Sequence, residues 1–500
     1  MDYYIGIDVG TSSAKLILID EQGNTRKQEE REYRFSEPQP GWKEIDPEIW
    51  TRAVEEAMAD LLQGEEPEKV RAIGVTGQMH TVVFLDEEGK SVRPALMWND
   101  TRTAEMVPLM KEKIQKIQKI SYLSRVISTG SPAMNLLWLK KQEPAQFARV
   151  KKFLIGPDYL VYRLTGSIQT DYCEASTSSL ADLQTGEWSE EMRKLLDFPA
   201  EIYPAIKGTC EIAGEIRREW CEKYHLTPGV KVITGTGDNP AAAIATGCFL
   251  KKYPVLSLGT SGVLMYPKEE INFAAKGKNI LFSFDRKKMQ ILVQGVVQSC
   301  GSSINWWIRD VLHADKYNEE TKIDPDHLGK NPLLFYPHLV GEKTIYGDPS
   351  LRGAFLGMGT DTTRREMTIA VLEGIAFGIR QLAEEMQIPR NELERLKVIG
   401  GGAKNEVWMQ ILAHVLNVPV EQVETGTGAG YGIALAAAGA VGVSTMEELI
   451  SRTVKGKNVF YPKENNVKLY EEKYGRYVRI YDGMKHIFEE KKEGYYGENL

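Results

Sequence analysis

The chain has 500 residues, 42% hydrophobic, 26% charged and 9% aromatic, which points to two or more domains and excludes disorder, collagen and a coiled coil as overall descriptions. A net charge of −7, from 62 Lys and Arg against 69 Asp and Glu with the signs interspersed, argues against nucleic acid or an anionic membrane surface as the main partner. Five scattered cysteines (Cys173, Cys210, Cys221, Cys248 and Cys300) fit neither a disulfide framework nor a zinc cluster, no basic-then-apolar leader opens the chain, and the Ala429–Val443 apolar stretch is shorter than the roughly 18 residues of a membrane span, so a cytoplasmic protein with reduced thiols is expected.

Tyr4–Asp20 reads as an apolar run, a small-residue turn and a second apolar run, a strand-turn-strand unit. Asp46-Pro47 opens a helix to about Leu62, with Asp as cap and Pro in the first turn. Val70–Val75 and Thr81–Asp86 are strands. Val230–Ile233 is another, followed by a glycine-rich turn to Asn239 and a helix from Pro240. Strands alternating with helices give an α/β architecture.

The segment Ser257-Leu-Gly-Thr-Ser-Gly262 echoes Asp8-Val-Gly-Thr-Ser-Ser13, each lying between two apolar runs. The expectation is two related lobes, residues 1–247 and 248–500, joined near Lys251-Lys252-Tyr253-Pro254, with the last helix returning to the first lobe. In the second lobe Leu396–Ile399 is a strand and Gly400-Gly401-Gly402 a turn. Glu406–Leu416 is an amphipathic helix, with Val407, Trp408, Ile411, Leu412 and Val415 at helical spacing. Glu366–Met386 and Ala429–Ala440 also read as helices; Gly374 and Gly378, four apart in the first, allow a close helix contact.

Tight turns of small residues expose backbone N–H groups, and Thr and Ser hydroxyls add donors. The two Gly-Thr-Ser hairpins are therefore either plain β-turns or a lysine-free cradle for phosphate oxygens, and their pairing favours the cradle. No Gly-x-x-x-x-Gly-Lys-Ser/Thr sequence occurs, which excludes a P-loop. Asp8, at the end of the first strand, either bonds its own turn or holds a hydrated Mg²⁺ beside phosphates. Asp238, after a strand and before a helix, is either a helix cap or a carboxylate facing the ligand crevice, where it could orient a hydroxyl and accept its proton; the second reading is favoured. Gly77-Gln78-Met79-His80 is either a structural strand end, the usual role of a lone His, or, with two polar edges and a soft apolar wall, a contact for an uncharged polyhydroxylated ligand. Gly400–Gly402 permits close backbone approach by a flat nucleoside.

In this order the motifs resemble the FGGY carbohydrate kinases of the actin/hexokinase-like superfamily. The resemblance runs through Ile7–Ser12, Gly77–His80, Trp98-Asn-Asp100, Gly237–Asn239 and Ser257–Ser261. It continues through Leu339–Glu342, Val371–Gly374, Gly400–Ala403 and Gly428–Gly432. Gly-Gln-Met-His and Trp-Asn-Asp are most similar to xylulokinases, whereas glycerol kinases carry Arg-Glu in place of Met79-His80. The resemblance implies two ribonuclease-H-like lobes with ATP and sugar in a closing cleft, transfer of a phosphoryl group from ATP to a ketopentose such as D-xylulose, and often a homodimer. Other sugars, polyols or sugar acids (gluconate, ribulose, erythritol) remain alternatives, as does a non-catalytic sugar-binding regulator.

The resemblance makes Asp238 the catalytic base and Asp8 the Mg²⁺ organiser. Gln78, Met79, His80, Asn239, Trp98 and Asp100 fall on the sugar side, Thr11, Ser12, Gly259 and Thr260 at the phosphates, and Gly401, Gly402, Ala403 and Asn405 near the nucleoside. Departures bear on the acceptor alone: Thr81 stands where Gly is usual, Asn135 and Pro157 where Lys is frequent, and Ile345-Tyr346 where Pro-His follows Thr.

Overall fold

A computed structural model of the chain describes residues 1–251, 253–314, 322–390, 393–423, 428–442, 444–453 and 456–489; Lys252 of the expected connector lies outside them. In the first lobe β1 (Tyr3–Val9), β2 (Ser13–Asp20) and β3 (Thr25–Glu32) form an antiparallel meander. Beyond β1, β4 (Val70–Gly77) runs parallel, and β5 (Ile212–Glu215) pairs antiparallel with β6 (Lys231–Ile233), giving the order β5-β6-β4-β1-β2-β3. β1 and β4 are almost continuously buried, as strands covered on both faces must be. β3, reading Thr-Arg-Lys-Gln-Glu-Glu-Arg-Glu, is a charged edge that discourages pairing with another chain.

The second lobe repeats the plan. β7 (Val255–Leu258) and β8 (Gly262–Lys268) make a hairpin; β9 (Lys278–Phe282) and β10 (Gln290–Val297) extend its antiparallel side. On the other side β11 (Leu396–Ile399) and β12 (Val420–Val423) run parallel to β7, and β13 (Gly456–Phe460) closes antiparallel, in the order β9-β10-β8-β7-β11-β12-β13. Matching β10-β8-β7-β11-β12-β13 to β3-β2-β1-β4-β6-β5 puts the two Gly-Thr-Ser turns at the same point of each sheet.

Two helices lie between the sheets, α1 (Asp238–Ala245) and α2 (Ala429–Ala440). They share one core with Tyr4, Ile17, Ala72 and Ile233 of the first sheet and Val255, Met265, Ile280 and Leu292 of the second. α2 belongs to the second half of the sequence yet packs mainly on β1 and β4 of the first lobe. The approach is at backbone distance: a Cβ at Gly6 would stand 1.8 Å from the Gly430 carbonyl oxygen, and one at Gly432 only 1.9 Å from that of Ala241.

The C-terminal helices 464–477 and 480–489 take a different course from the one expected of the last helix. They lie on the second lobe, where Tyr470 and Lys473 bond the buried Glu373 and the ring of Tyr481 stacks on Tyr346. Their apolar faces match helices Arg364–Glu385 and Glu406–Leu416, whereas α2 already fills the inner face of the first sheet. The close contact at Gly374 is likewise not with a helix: a Cβ there would meet the Phe335 carbonyl at 2.2 Å. Among the described residues no helix is long and apolar enough to cross a membrane, and all five cysteines are free.

Candidate active site

β4 is the spine of the site. In register, Thr76 faces Asp8 of β1 on one side and Thr236 on the other. Asp8 and Asp238 therefore issue from strand ends separated by two strand spacings, about 10 Å of backbone, at the carboxyl edge where open α/β sheets bind ligands. Asp238 is not spent on a cap. It is the first residue of α1, and the cap position is Gly237. Burial, then the nearby charge of Asp8, push the Asp238 carboxyl up to about 7. Burial also raises Asp8, to about 6, against the pull of Lys15, its cross-strand neighbour. Two carboxyl groups with raised proton affinity in one cleft are the mark of a site built for proton or cation chemistry.

From Asp238 a row of groups leads away along the strand ends. The Asn239 amide lies 3.7 Å from the Met79 sulfur, and Met79 is buried. His80 adopts φ +70°, a left-handed conformation that a bulky residue holds only when its surroundings impose it. Its backbone N–H points at the Glu174 carboxylate, and its Nε2 lies 2.9 Å from the Lys278 Nζ on β9, across the cleft. Burial, Lys278 and Lys343 hold the imidazole well below its ordinary pKa. The ammonium donates to Nε2, which puts the ring proton on Nδ1, a buried atom with no partner among the described residues.

The other sugar-side residues divide. Trp98 is 45% exposed at the mouth, its indole N–H donating to the Thr11 hydroxyl at 3.1 Å. Gln78 is buried and committed: its amide nitrogen donates to the Gly10 carbonyl and its oxygen accepts from Thr81, so it braces the first hairpin. Thr81 earns its place there, since its hydroxyl oxygen also accepts the Trp98 backbone N–H. Asp100 does not enter the cleft with a free oxygen. It is 1% exposed, and its carboxylate is taken by Arg102 and by the backbone N–H groups of Lys43 and Arg102.

On the phosphate side both hairpin turns are open. The Gly10 N–H closes a tight turn onto the Ser13 carbonyl at the start of β2 and the Gly259 N–H onto the Ser261 carbonyl just before β8, and Ser12, Gly259 and Thr260 are exposed, with Thr11 half-buried. Gly401 faces space in which a Cβ would meet nothing within 4 Å, as does Gly428 at the start of α2. Gly402, by contrast, packs on Leu258 and Trp408, and Ala403 is buried with its carbonyl bonded by Gln422. Asn405 caps helix Glu406–Leu416 through its oxygen, and its buried Nδ2 is unpartnered among the described residues. An open glycine floor, an orphan amide donor and two hydroxyl-bearing turns fit a nucleoside phosphate. No cluster of three or more His, Cys, Asp or Glu side chains suited to a metal occurs among the described residues; a carboxylate such as Asp8, with Asp238 near enough to feel its charge, suits a hard cation that keeps most of its water and phosphate ligands.

Comparison with known proteins agrees with the two-lobed fold. Residues 3–245 match the N-terminal domain of the FGGY family of carbohydrate kinases, and residues 255–441 match the C-terminal domain. The chain belongs to the FGGY carbohydrate kinases. Among its relatives, a xylulose kinase of Staphylococcus xylosus is 31% identical over 96% of this chain and 100% of its own, and that of Bacillus subtilis 32% over 97% and 98%. A solved xylulose kinase structure from Brucella ovis superposes with a TM-score of 0.88 at 29% identity, covering 97% of this chain and all of the other. A gluconate kinase from Lactobacillus acidophilus shares the fold (TM-score 0.87, 98% and 99% covered) at 24% identity. This FGGY kinase is thus a two-lobed phosphotransferase that uses ATP and a small-molecule sugar. Two residues of its cleft, Glu174 and Lys278, carry no motif signal in the sequence, and only the folded lobes bring them to His80; Lys343 follows the Leu339–Glu342 motif, but its approach to His80 also depends on the fold.

Proposed function

We propose that the protein transfers the γ-phosphoryl group of ATP to the terminal hydroxyl of a ketopentose, converting D-xylulose to D-xylulose 5-phosphate. The observation that carries the reading is the Asp238 carboxyl at a strand end beside Met79, bonded by backbone N–H groups of its own helix start and by no other side chain among the described residues, and raised by burial to about 7. The xylulose kinases among the relatives, similar along nearly the whole chain, support the choice of acceptor.

In this reading Asp238 aligns the acceptor hydroxyl and takes its proton as the new O–P bond forms. Phosphoryl transfer passes through a loose transition state that asks for positioning more than for a strong base. Thr11, Ser12, Gly259 and Thr260 donate hydroxyl and backbone N–H groups to the phosphates without a lysine. Asp8 holds the Mg²⁺ that neutralises phosphate charge when bound, and Gly401 and Asn405 border the nucleoside. Met79, His80 and Asn239 hold the sugar, with Trp98 at the mouth. Closure of the lobes excludes water, so that the sugar alcohol and not water receives the phosphoryl group.

The test is an ADP-coupled assay with a panel of ketoses, polyols and aldonates at saturating Mg·ATP. Turnover fastest with D-xylulose is expected. Sugar-independent ATP hydrolysis, or a polyol or aldonate favoured over every ketopentose, overturns the assignment.

A further inference from the structure

Lys278 is an ammonium in an unusual place. It sits on β9 of the second lobe, yet its one hydrogen bond among the described residues is to His80 of the first, at 2.9 Å. No carboxylate lies within ion-pair distance of it there. Burial brings its pKa down to about 8, against an upward pull from Cys173 and Glu174 on the facing helix, with Lys343 pressing the same way as burial. Glu174 makes no ion pair with it, and burial together with Asp171 and Asp158 pushes the Glu174 carboxyl well above the usual range. A half-buried ammonium whose one partner among the described residues is an imidazole nitrogen is under-satisfied, and a charged donor left that way gains strongly from an acceptor oxygen.

The row Asp238, Asn239, Met79, His80, Lys278 gives that oxygen an address. Asp238 marks the reacting end of the acceptor, and Lys278 ends the chain of contacts that runs from Asn239 through Met79 and His80. An sp² oxygen, either a ketone or a carboxylate, accepts from an ammonium better than a hydroxyl does. Lys343, exposed beside the pair, biases the same region positive. Resting on the kinase reading above, we infer that Lys278 is a specificity-determining residue contributed by the second lobe, donating to a carbonyl or carboxylate oxygen at the non-reacting end of the acceptor. Because the donor arrives from across the cleft, an acceptor carrying that oxygen also helps draw the lobes together.

The experiment compares the wild type with Lys278→Met and Lys278→Gln on three acceptors: D-xylulose (ketone), D-gluconate (carboxylate) and D-arabitol (hydroxyls only). The expected result for Lys278→Met is a loss of about 10- to 100-fold in kcat/KM, the scale of one hydrogen bond to a charged group, for whichever of the first two the wild type uses. Activity on D-arabitol should change less than about threefold, and KM for ATP should be unchanged. Lys278→Gln, which keeps a neutral donor, falls between. Equal losses on all three acceptors would mean that Lys278 only braces His80, and no loss would mean that it touches nothing in the complex; either overturns the inference while leaving the kinase assignment intact. A wild type that phosphorylates none of the three overturns both. Melting temperatures within about 2 °C of wild type establish that the variants are folded, and should Lys278→Met fail to fold, the same acceptor pattern in Lys278→Gln decides.

Discussion

Asp8 and Asp238 flank the end of one strand, and the charge of Asp8 adds to burial in holding the Asp238 proton up to about 7. A general base contributes only when it is deprotonated. Turnover is therefore expected to fall as pH drops through about 7. Removing the neighbouring charge with Asp8→Asn should move the acid limb of the residual activity to lower pH, because a like charge no longer opposes ionisation. A pH–rate profile of each enzyme checks this; an unmoved limb would show that the two groups do not communicate.

Asp238→Ala should lower kcat by about 10²- to 10⁴-fold, the usual scale for a positioned base. Sugar affinity, measured by calorimetry, should stay within a few-fold, since Met79, His80 and Asn239 remain. Turnover near that of the wild type would remove Asp238 from the chemistry.

The same residue is a burden on the empty fold. A carboxyl whose pKa rises from 3.8 to about 7 on folding destabilises the native state progressively as pH climbs from the first value to the second, and fully above it. Asp238→Asn should therefore raise the melting temperature by several degrees at pH 8 and hardly at pH 4. Calorimetric scans at the two pH values give the comparison.

Gly401 offers a separation of binding from folding. Its missing side chain would point into open space, so Gly401→Val should leave the melting temperature unchanged. KM for ATP should rise tenfold or more, with KM for sugar little affected, because the added methyls occupy the nucleoside's place. An unchanged KM for ATP would put the nucleoside elsewhere.

In the second lobe Lys473 and Glu373 form an ion pair in which both side chains are 1% exposed, joined by Tyr470 and the Gly329 N–H. Lys473→Met should cost about 3–5 kcal/mol, since it strands a buried carboxylate. The double change Lys473→Met, Glu373→Gln should recover part of that loss. Urea denaturation of the three proteins measures both.

The hairpins, the Glu406–Leu416 helix and the strand-end positions of Asp8 and Asp238 were legible because each rests on local pattern: apolar runs, small-residue turns and helical spacing. The helix expected from Pro240 begins two residues earlier, because Thr236-Gly237 pairs with β4 and lets it start at Asp238 itself. What local pattern does not carry is partner choice. Asp100 and Gln78 look like any polar residues of a binding loop, and their commitments to Arg102 and to Gly10 depend on chain brought from elsewhere. Lys278 is hidden for the same reason, being 198 residues from His80.

The placement of α2 on the first sheet means that the molecule's halves are not interchangeable modules. A fragment ending near residue 250 would leave β1 and β4 bare on their inner face, an oily panel inviting aggregation. A chimaera exchanging lobes with a relative must carry residues 429–440 with the sheet they cover, not with the stretch of gene they adjoin. Shuffling experiments that cut at the apparent midpoint should yield insoluble protein, and those that respect this crossover should not.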